Sequence, residues 1–345
     1  MSGKFRPVII WLFAGAILVF IMTAIGGITR LTESGLSMVN WSLIMGAIPP
    51  LNAEDWQIAF EKYQQYPEFL TTHSHFTLSD FKGIFFWEFT HRLLGRIIGL
   101  VFIIPFIIFI IKGLIKGKLL KQLLILLFVG GFQGFLGWYM VSSGLIHEPR
   151  VSHFRLAAHL STAFFTISYS VWIALDLMSK NNIKPAFPSS LPKLTMVGMG
   201  LLCTQIIFGA FVAGKDAGMI HNYWPNMNPS EFIATRIFTE GGILNNLIND
   251  PSGIQFVHRY LAYLVVIAIG YLWVQTRNTE TDSVTKKRYS LMLIIVAFQF
   301  TIGVFTLLFQ VPLALGLIHQ LGALLLLLAF VYALHRTSTI SIERN

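Results

Sequence analysis

Phe89-Thr90-His91-Arg92-Leu93-Leu94 and Phe256-Val257-His258-Arg259-Tyr260-Leu261 are two versions of one hexapeptide, 167 positions apart. Each leads into an uncharged run, 97–111 and 260–276, that extends back to about 84 and 254 and is then long enough to cross a hydrocarbon core, which takes roughly 20 residues of helix. Working outward, further runs occupy 7–29, 122–147, 156–175 and 194–214. A last run, 289–335, has 47 residues, too long for one helix, and divides at Gln310-Val311-Pro312. The reading predicts an all-α membrane protein with eight transmembrane helices.

The duplication extends beyond the hexapeptide. Phe132-Gln133 matches Phe298-Gln299 at an offset of 166, His159 corresponds to His319, and Gly26, Gly35 and Trp41 correspond to Gly209, Gly218 and Trp224 at a constant offset of 183. Agreement in order and spacing marks an internal repeat. Four spans per copy is an even number, so both copies enter the membrane from the same side and relate by an axis along its normal. The expected architecture is two tandem, pseudo-two-fold related four-helix bundles, residues 1–178 and 179–345.

Composition agrees. Of 345 residues 54% are apolar and 12% charged, about half the charged share of soluble domains. The single cysteine, Cys203, excludes an intrachain disulfide and a cysteine metal cluster, so any metal or cofactor falls to His, Met or carboxylate. The net charge of +9 does not indicate nucleic-acid binding, because the Lys and Arg are dispersed along short connections without aromatic interleaving. One side of the spans carries fifteen Lys/Arg against four acids, the other ten against twelve, which predicts cytoplasmic termini. The opening Met1-Ser2-Gly3-Lys4-Phe5-Arg6-Pro7 runs straight into the first span, so neither a transit peptide nor a cleaved signal is expected, and a bacterial inner membrane fits best. The long connections, about 31–83 and 215–253, lie on the outer side, where function is expected.

His91, His159, His258 and His319 fall at one depth near that side, two per bundle. Ionisable groups inside spans are functional candidates by default. A facing pair of histidines in a bundle suits the axial positions of a haem iron; the alternative is a hydrogen bond to a neighbouring helix. His73, His75, His147, His153 and His221 are expected in or beside outer loops and His335 at the inner boundary, in solvated or interfacial roles. The halves differ at Glu88, three residues before His91 on the same helix face, where the second half has Gln255. Glu88 is therefore a candidate for proton transfer or substrate positioning, against a plain ion pair with Arg92. Arg96, replaced by Tyr263 in the second half, could meet a haem propionate, pair with Glu88 or simply join two helices.

These residues and their neighbours resemble the haem A synthase family, enzymes that oxidise a methyl group of haem O to the formyl group of haem A. The matching stretches are Gly26-Gly27-Ile28-Thr29-Arg30-Leu31-Thr32-Glu33-Ser34-Gly35-Leu36-Ser37-Met38, Glu88-Phe89-Thr90-His91-Arg92, Gly137-Trp138-Tyr139-Met140-Val141, Arg155-Leu156-Ala157-Ala158-His159, Ala213-Gly214-Lys215-Asp216-Ala217-Gly218, His258-Arg259 and His319-Gln320. The resemblance covers roughly 8–335. It implies a haem b cofactor on His258 and His319, haem O as substrate between His91 and His159, and an essential acid at Glu88; Arg92 and Arg96 are expected as substrate-binding groups beside them. It also implies a haem O synthase that supplies the substrate and an electron-transfer partner; a homo-oligomer is left open. Some members carry cysteine pairs in the outer loops; this chain has none there and resembles the cysteine-poor branch. The segments Trp41 to Pro50 and Tyr223 to Pro229 are candidate lids. The rival readings are a dihaem cytochrome b-type electron carrier and a haem exporter.

Overall fold

Polar punctuation sets the helix boundaries. In chain order the helices are α1 Arg6–Leu31, α2 Ala53–Tyr63, α3 Leu78–Ile111, α4 Gly117–Gly144, α5 His153–Met178, α6 Leu191–Gly214, α7 Ile243–Asn249, α8 Pro251–Asn278, α9 Ser283–Leu308 and α10 Leu313–Ser338. The computed structural model describes residues 3–38, 45–144, 151–179, 187–238 and 242–338, and no strand occurs among them. All but α2 and α7 are long and apolar enough to cross a bilayer. The chain is a multi-pass membrane protein, with eight such helices among its described residues.

Helix α3 starts six residues before the expected boundary because Thr77 and Asp80 form a capping box: the Asp80 carboxylate accepts from Thr77 N at 2.8 Å and Thr77 Oγ1 from Asp80 N at 3.4 Å. Such caps satisfy backbone N–H groups that have no partner inside the helix. Asp250, followed by Pro251, begins α8 by accepting from Ser252 N at 2.9 Å. Asp282 begins α9 by accepting from Val284 N and Thr285 N at 3.0 and 3.1 Å. The 47-residue run breaks where expected. Gln310 and Val311 take φ of 59° and 56° and Pro312 follows, so α9 ends at Leu308 and α10 starts at Leu313.

Two compact units form, one of Ala14–Thr166, the other of Met1–Phe13 with Ile167–Asn345. The division falls inside α1 and α5. In the second unit Ser170 Oγ donates to Leu12 O at 3.0 Å, and His335 Nε2 lies 2.8 Å from Asp176 Oδ1. Large apolar side chains such as Ile104, Phe128 and Ile267 stay exposed on the helix surfaces, as a lipid-facing exterior requires.

The long connections carry structure that the sequence reading treated as loop. Helix α2, capped by Asn52, buries Phe60 and Tyr63 against Phe81, Ile84 and Phe85 of α3. Three histidines expected in solvated or interfacial roles are buried instead: His73, His153 and His335. His335 is enclosed because Asp176 supplies a polar partner and the Trp172 ring meets its own edge-on at 5.0 Å. His75 is exposed, and His221 bridges Asn228 (2.6 Å) and Ser252 (3.0 Å). His147, Trp41 and the first part of the Trp41–Pro50 segment lie outside the described residues.

Candidate functional site

Each of the four span histidines rests on a glycine of the neighbouring helix. In the Ala14–Thr166 unit a β-carbon at Gly26 of α1 would come 3.0 Å from His91 Cε1, and one at Gly137 of α4 would come 3.5 Å from His159 Cε1. In the other unit the corresponding approaches are 3.1 Å from Gly209 of α6 to His258 and 2.7 Å from Gly303 of α9 to His319. Gly209 follows Gly26 by 183 positions and Gly303 follows Gly137 by 166, the offsets of the internal repeat. A β-carbon would displace the ring at Gly303, crowd it at Gly26 and Gly209 and only touch it at Gly137, so the glycines let the rings lie close to the neighbouring helix.

The histidine pairs meet within each unit. The His258 and His319 rings stand 6.3 Å apart, centroid to centroid, at 82°; His91 and His159 lie within electrostatic reach of each other. Two imidazoles clasping one metal at roughly 2.0–2.1 Å per nitrogen would hold their centroids roughly 6 Å apart, so the second pair fits a haem iron between its rings. Nδ1 of His91, His159 and His258 is buried without a hydrogen-bond partner, a costly arrangement in an apolar surround that a metal or a haem-linked group would relieve. Among the described residues no three His, Cys, Asp or Glu side chains converge as a metal site. The pairs suit a macrocycle that brings its own four nitrogen donors.

Glutamines brace the histidine backbones, and unequally. Gln133 Nε2 donates to His159 O at 3.0 Å, and its repeat equivalent Gln299 donates to His319 O at 2.8 Å. Gln205 donates to His258 O at 2.9 Å. The position equivalent to Gln205 is Met22, whose methyl group lies where a β-carbon of Gly95, one turn past His91, would meet it at 3.4 Å. A thioether has no proton to donate, so His91 lacks the brace that His258 has.

Above each pair, the residues before and after the first histidine fasten the adjoining connection. Glu88 Oε2 accepts from Ser37 Oγ and Met38 N, both at 2.7 Å. Its other oxygen pairs with Arg92, which also donates to Met38 O at 2.9 Å. The ion pair weighed as the plain alternative for Glu88 is therefore present, with Glu88 buried and Arg92 half-buried. Gln255 does the equivalent work with reversed polarity: its Nε2 donates to Ala217 O at 2.8 Å and Ile220 O at 2.5 Å. Arg259 donates to Tyr223 O (2.9 Å), Asn226 O (3.0 Å) and His221 O. Residue 88 is an acid where the chain presents an N–H, and residue 255 an amide where the chain presents carbonyls. Both fastened segments turn on a non-glycine residue with φ of 51°, Glu33 and Asp216, again 183 apart.

Of the other expected site residues, Arg96 is half-buried one turn past Arg92. Tyr263, its counterpart, accepts from Trp224 Nε1 at 3.0 Å, so the Tyr223–Pro229 segment is held to α8. The sequence reading missed Gln205 and Gly303, and the buried group Tyr63, Glu68 and His73. Gly303 was marked by its offset from Gly137; Gln205 had no signal, because its repeat partner is a methionine.

A repeat of four glycine-seated histidines, under connections held by a Glu/Arg and a Gln/Arg clamp, defines a membrane haem-handling class of protein. Residues 9–331 match the model of the COX15-CtaA family, described as a cytochrome oxidase assembly protein, and the chain belongs to that family. It is 48% identical over 342 residues to a protein of Flavobacterium johnsoniae named Heme A synthase, covering 98% of this chain and all of the relative. Relatives of the same name are 48% identical in Flavobacterium psychrophilum, covering 96% of this chain and 98% of the relative, and 40% identical in Nitrosospira multiformis, covering 96% and 93%.

Proposed function

We propose that this chain is a haem A synthase, oxidising one methyl group of haem O, through an alcohol, to the formyl group of haem A for haem A-containing terminal oxidases. The observation that carries the reading is the inequality of two otherwise matched histidine pairs. His258 and His319 have glutamine braces on both backbones, as a permanently held group needs. The His91 and His159 pair has a brace on one side only and a buried carboxylate, Glu88, one turn before His91, as an exchangeable substrate with chemistry beside it needs.

His258 and His319 would hold haem b, which supplies one-electron redox chemistry when bound. His91 and His159 bind and orient haem O, with Arg92 and Arg96 placed for its propionates. Glu88, paired with Arg92, keeps the Ser34–Met38 segment over the pair, and so limits water and offers a carboxyl group to a proton released beside it. The functional halves are 1–178 for substrate and 179–345 for cofactor. The excess of Lys and Arg on the opposite side supports a bacterial inner-membrane protein with the long connections outside the cytoplasm and both termini inside. A haem O synthase would deliver the substrate, and an electron-transfer partner would complete the redox cycle.

Turnover of haem O by the purified full-length protein tests the reading. Glu88→Gln should retain haem yet form no haem A; full conversion by that variant would remove Glu88 from the chemistry. His258→Ala or His319→Ala should lose haem b, and an unchanged haem content would refute the ligand assignment.

A further inference from the structure

The Ala14–Thr166 unit buries a second group of titratable side chains apart from the histidine pair. Tyr63 Oη lies 3.0 Å from Glu68 Oε2 and 2.7 Å from His73 Nδ1. His73 Nε2 stands 3.9 Å from Glu33 Oε2, whose side chain is half exposed. Tyr63 is fully buried, and Glu68 and His73 are each 5% exposed. Aromatic rings wall them in: Phe76 stacks on His73 at 4.0 Å and Phe81 on Tyr63 at 5.2 Å.

Enclosing a carboxyl, a phenol and an imidazole among phenylalanines is costly unless they bond one another, and here they do so in a line. Burial pushes the Glu68 carboxyl up to about 8, with the charges of Glu88 and Glu33 adding to the rise and the Tyr63 hydrogen bond opposing it. Burial also raises the Tyr63 phenol, helped by Glu68, Glu88 and Glu33. It lowers His73 below the usual imidazole value, with Glu33 opposing and His75 assisting. Glu68 can therefore carry a proton near neutrality, where the buried imidazole prefers to be neutral.

The two ends of the line open on different places. Phe81, on which Tyr63 stacks, shares one face of α3 with Ile84, Phe85 and Glu88, at helical spacings of three, four and seven. Phe81 stands two turns from Glu88 on that face, and the Glu88 charge is felt at Glu68, the inner end. The outer end meets an open cleft of ≈ 380 Å³ whose lining includes Thr32 and Ser34, which flank Glu33, and Phe76, which covers His73.

We propose that Glu68, Tyr63, His73 and Glu33 form a proton path between the Glu88 region and the water at the loop end of this unit. In one passage the Glu68 proton goes to the Tyr63 oxygen, the Tyr63 proton to His73 Nδ1, and the His73 Nε2 proton by way of one water to the Glu33 carboxylate, 3.9 Å away. Glu68 is left ionised, Glu33 protonated, and His73 neutral in its other tautomer. Atoms and charge balance without a redox partner. The path's use rests on the reading that haem O reacts between His91 and His159; its existence does not.

Two measurements on the full-length protein separate these. Infrared spectra in H2O and D2O should show a carboxylic acid C=O band that persists to about pH 8, is absent in Glu68→Gln, and shifts in Tyr63→Phe. No band assignable to Glu68 at neutral pH overturns the path, whatever the enzyme does. In turnover, Tyr63→Phe keeps the ring on Phe81 and removes the hydroxyl. It should retain haem, slow haem A formation on the order of tenfold, and displace the alkaline limb of the pH profile; His73→Gln should do the same and serves if Tyr63→Phe loses haem. Wild-type rate and pH profile in a haem-loaded variant overturn the path while leaving the synthase reading intact. A wild-type protein that shows the band but forms no haem A overturns that reading alone.

Discussion

The imidazole of His319 lies so close to Gly303 that a β-carbon there would come within 2.7 Å of its Cε1, closer than the same construction at any other span histidine. Alanine at 303 has no room unless the ring moves. The four seats form a graded series, from 2.7 Å through 3.0 and 3.1 Å to 3.5 Å at Gly137. Gly303→Ala should strip the haem of its unit or convert its axial ligation. Gly26→Ala and Gly209→Ala should show partial effects, and Gly137→Ala should be tolerated. Absorption and magnetic circular dichroism spectra of the four variants check the order.

Gln205 makes the difference between a braced and an unbraced histidine. Exchange for the methionine found at its repeat position removes a buried hydrogen bond, worth about 1–3 kcal/mol when a partner is left unsatisfied. Gln205→Met should therefore speed loss of the tightly held haem to an acceptor protein by roughly five- to a hundredfold. The reciprocal Met22→Gln should slow exchange at the His91 and His159 pair. Equal release rates from all three proteins would show that the brace does not govern retention.

Polarity at the two clamps gives a swap test. Gln255→Glu would aim a carboxylate at the carbonyls of Ala217 and Ile220, and Glu88→Gln would set amide hydrogens against either the Met38 N–H or Arg92. Each single change should loosen its connection, read as faster proteolysis after position 31 or 214. Breaking one partner of a buried ion pair costs about 3–5 kcal/mol, so the Glu88 change should act more strongly.

Stability should depend on pH through Glu68. Its folded value is raised to about 8 from 4.5, so the fold binds this proton more tightly than the unfolded chain. The contribution is fully present below about pH 4.5, falls as pH rises, and is lost above about pH 8. Thermal unfolding followed between those limits should show a declining midpoint in the wild type and a flatter one in Glu68→Gln.

Much of this was legible in the sequence. Spans announce themselves by the absence of charge, and the break in the 47-residue run at Gln310-Val311-Pro312 fell where proline must stop a helix. The histidines were legible because ionisable groups are rare in spans and these four recur at repeat offsets. What was not legible depends on pairings between distant segments. Whether Glu88 faces an N–H or a carbonyl is set by Met38, fifty residues away, and no local pattern encodes it. His73 read as a loop histidine, because its burial depends on Tyr63 and the rings of Phe76 and Phe81 closing around it. Helix α2 was missed because a short amphipathic helix among Gly- and Pro-rich connections resembles a loop until its apolar face finds α3.

The central claim is that one histidine pair retains a cofactor while the other processes haem O. It is tested most directly by purifying the full-length protein from cells that make haem O, extracting its haems into acidified organic solvent, and identifying them by chromatography with mass detection. The extract should hold haem b together with haem O, its alcohol or haem A, and His258→Ala should lose haem b alone. Haem b as the sole species in cells rich in haem O would contradict it and favour a protein that only carries electrons.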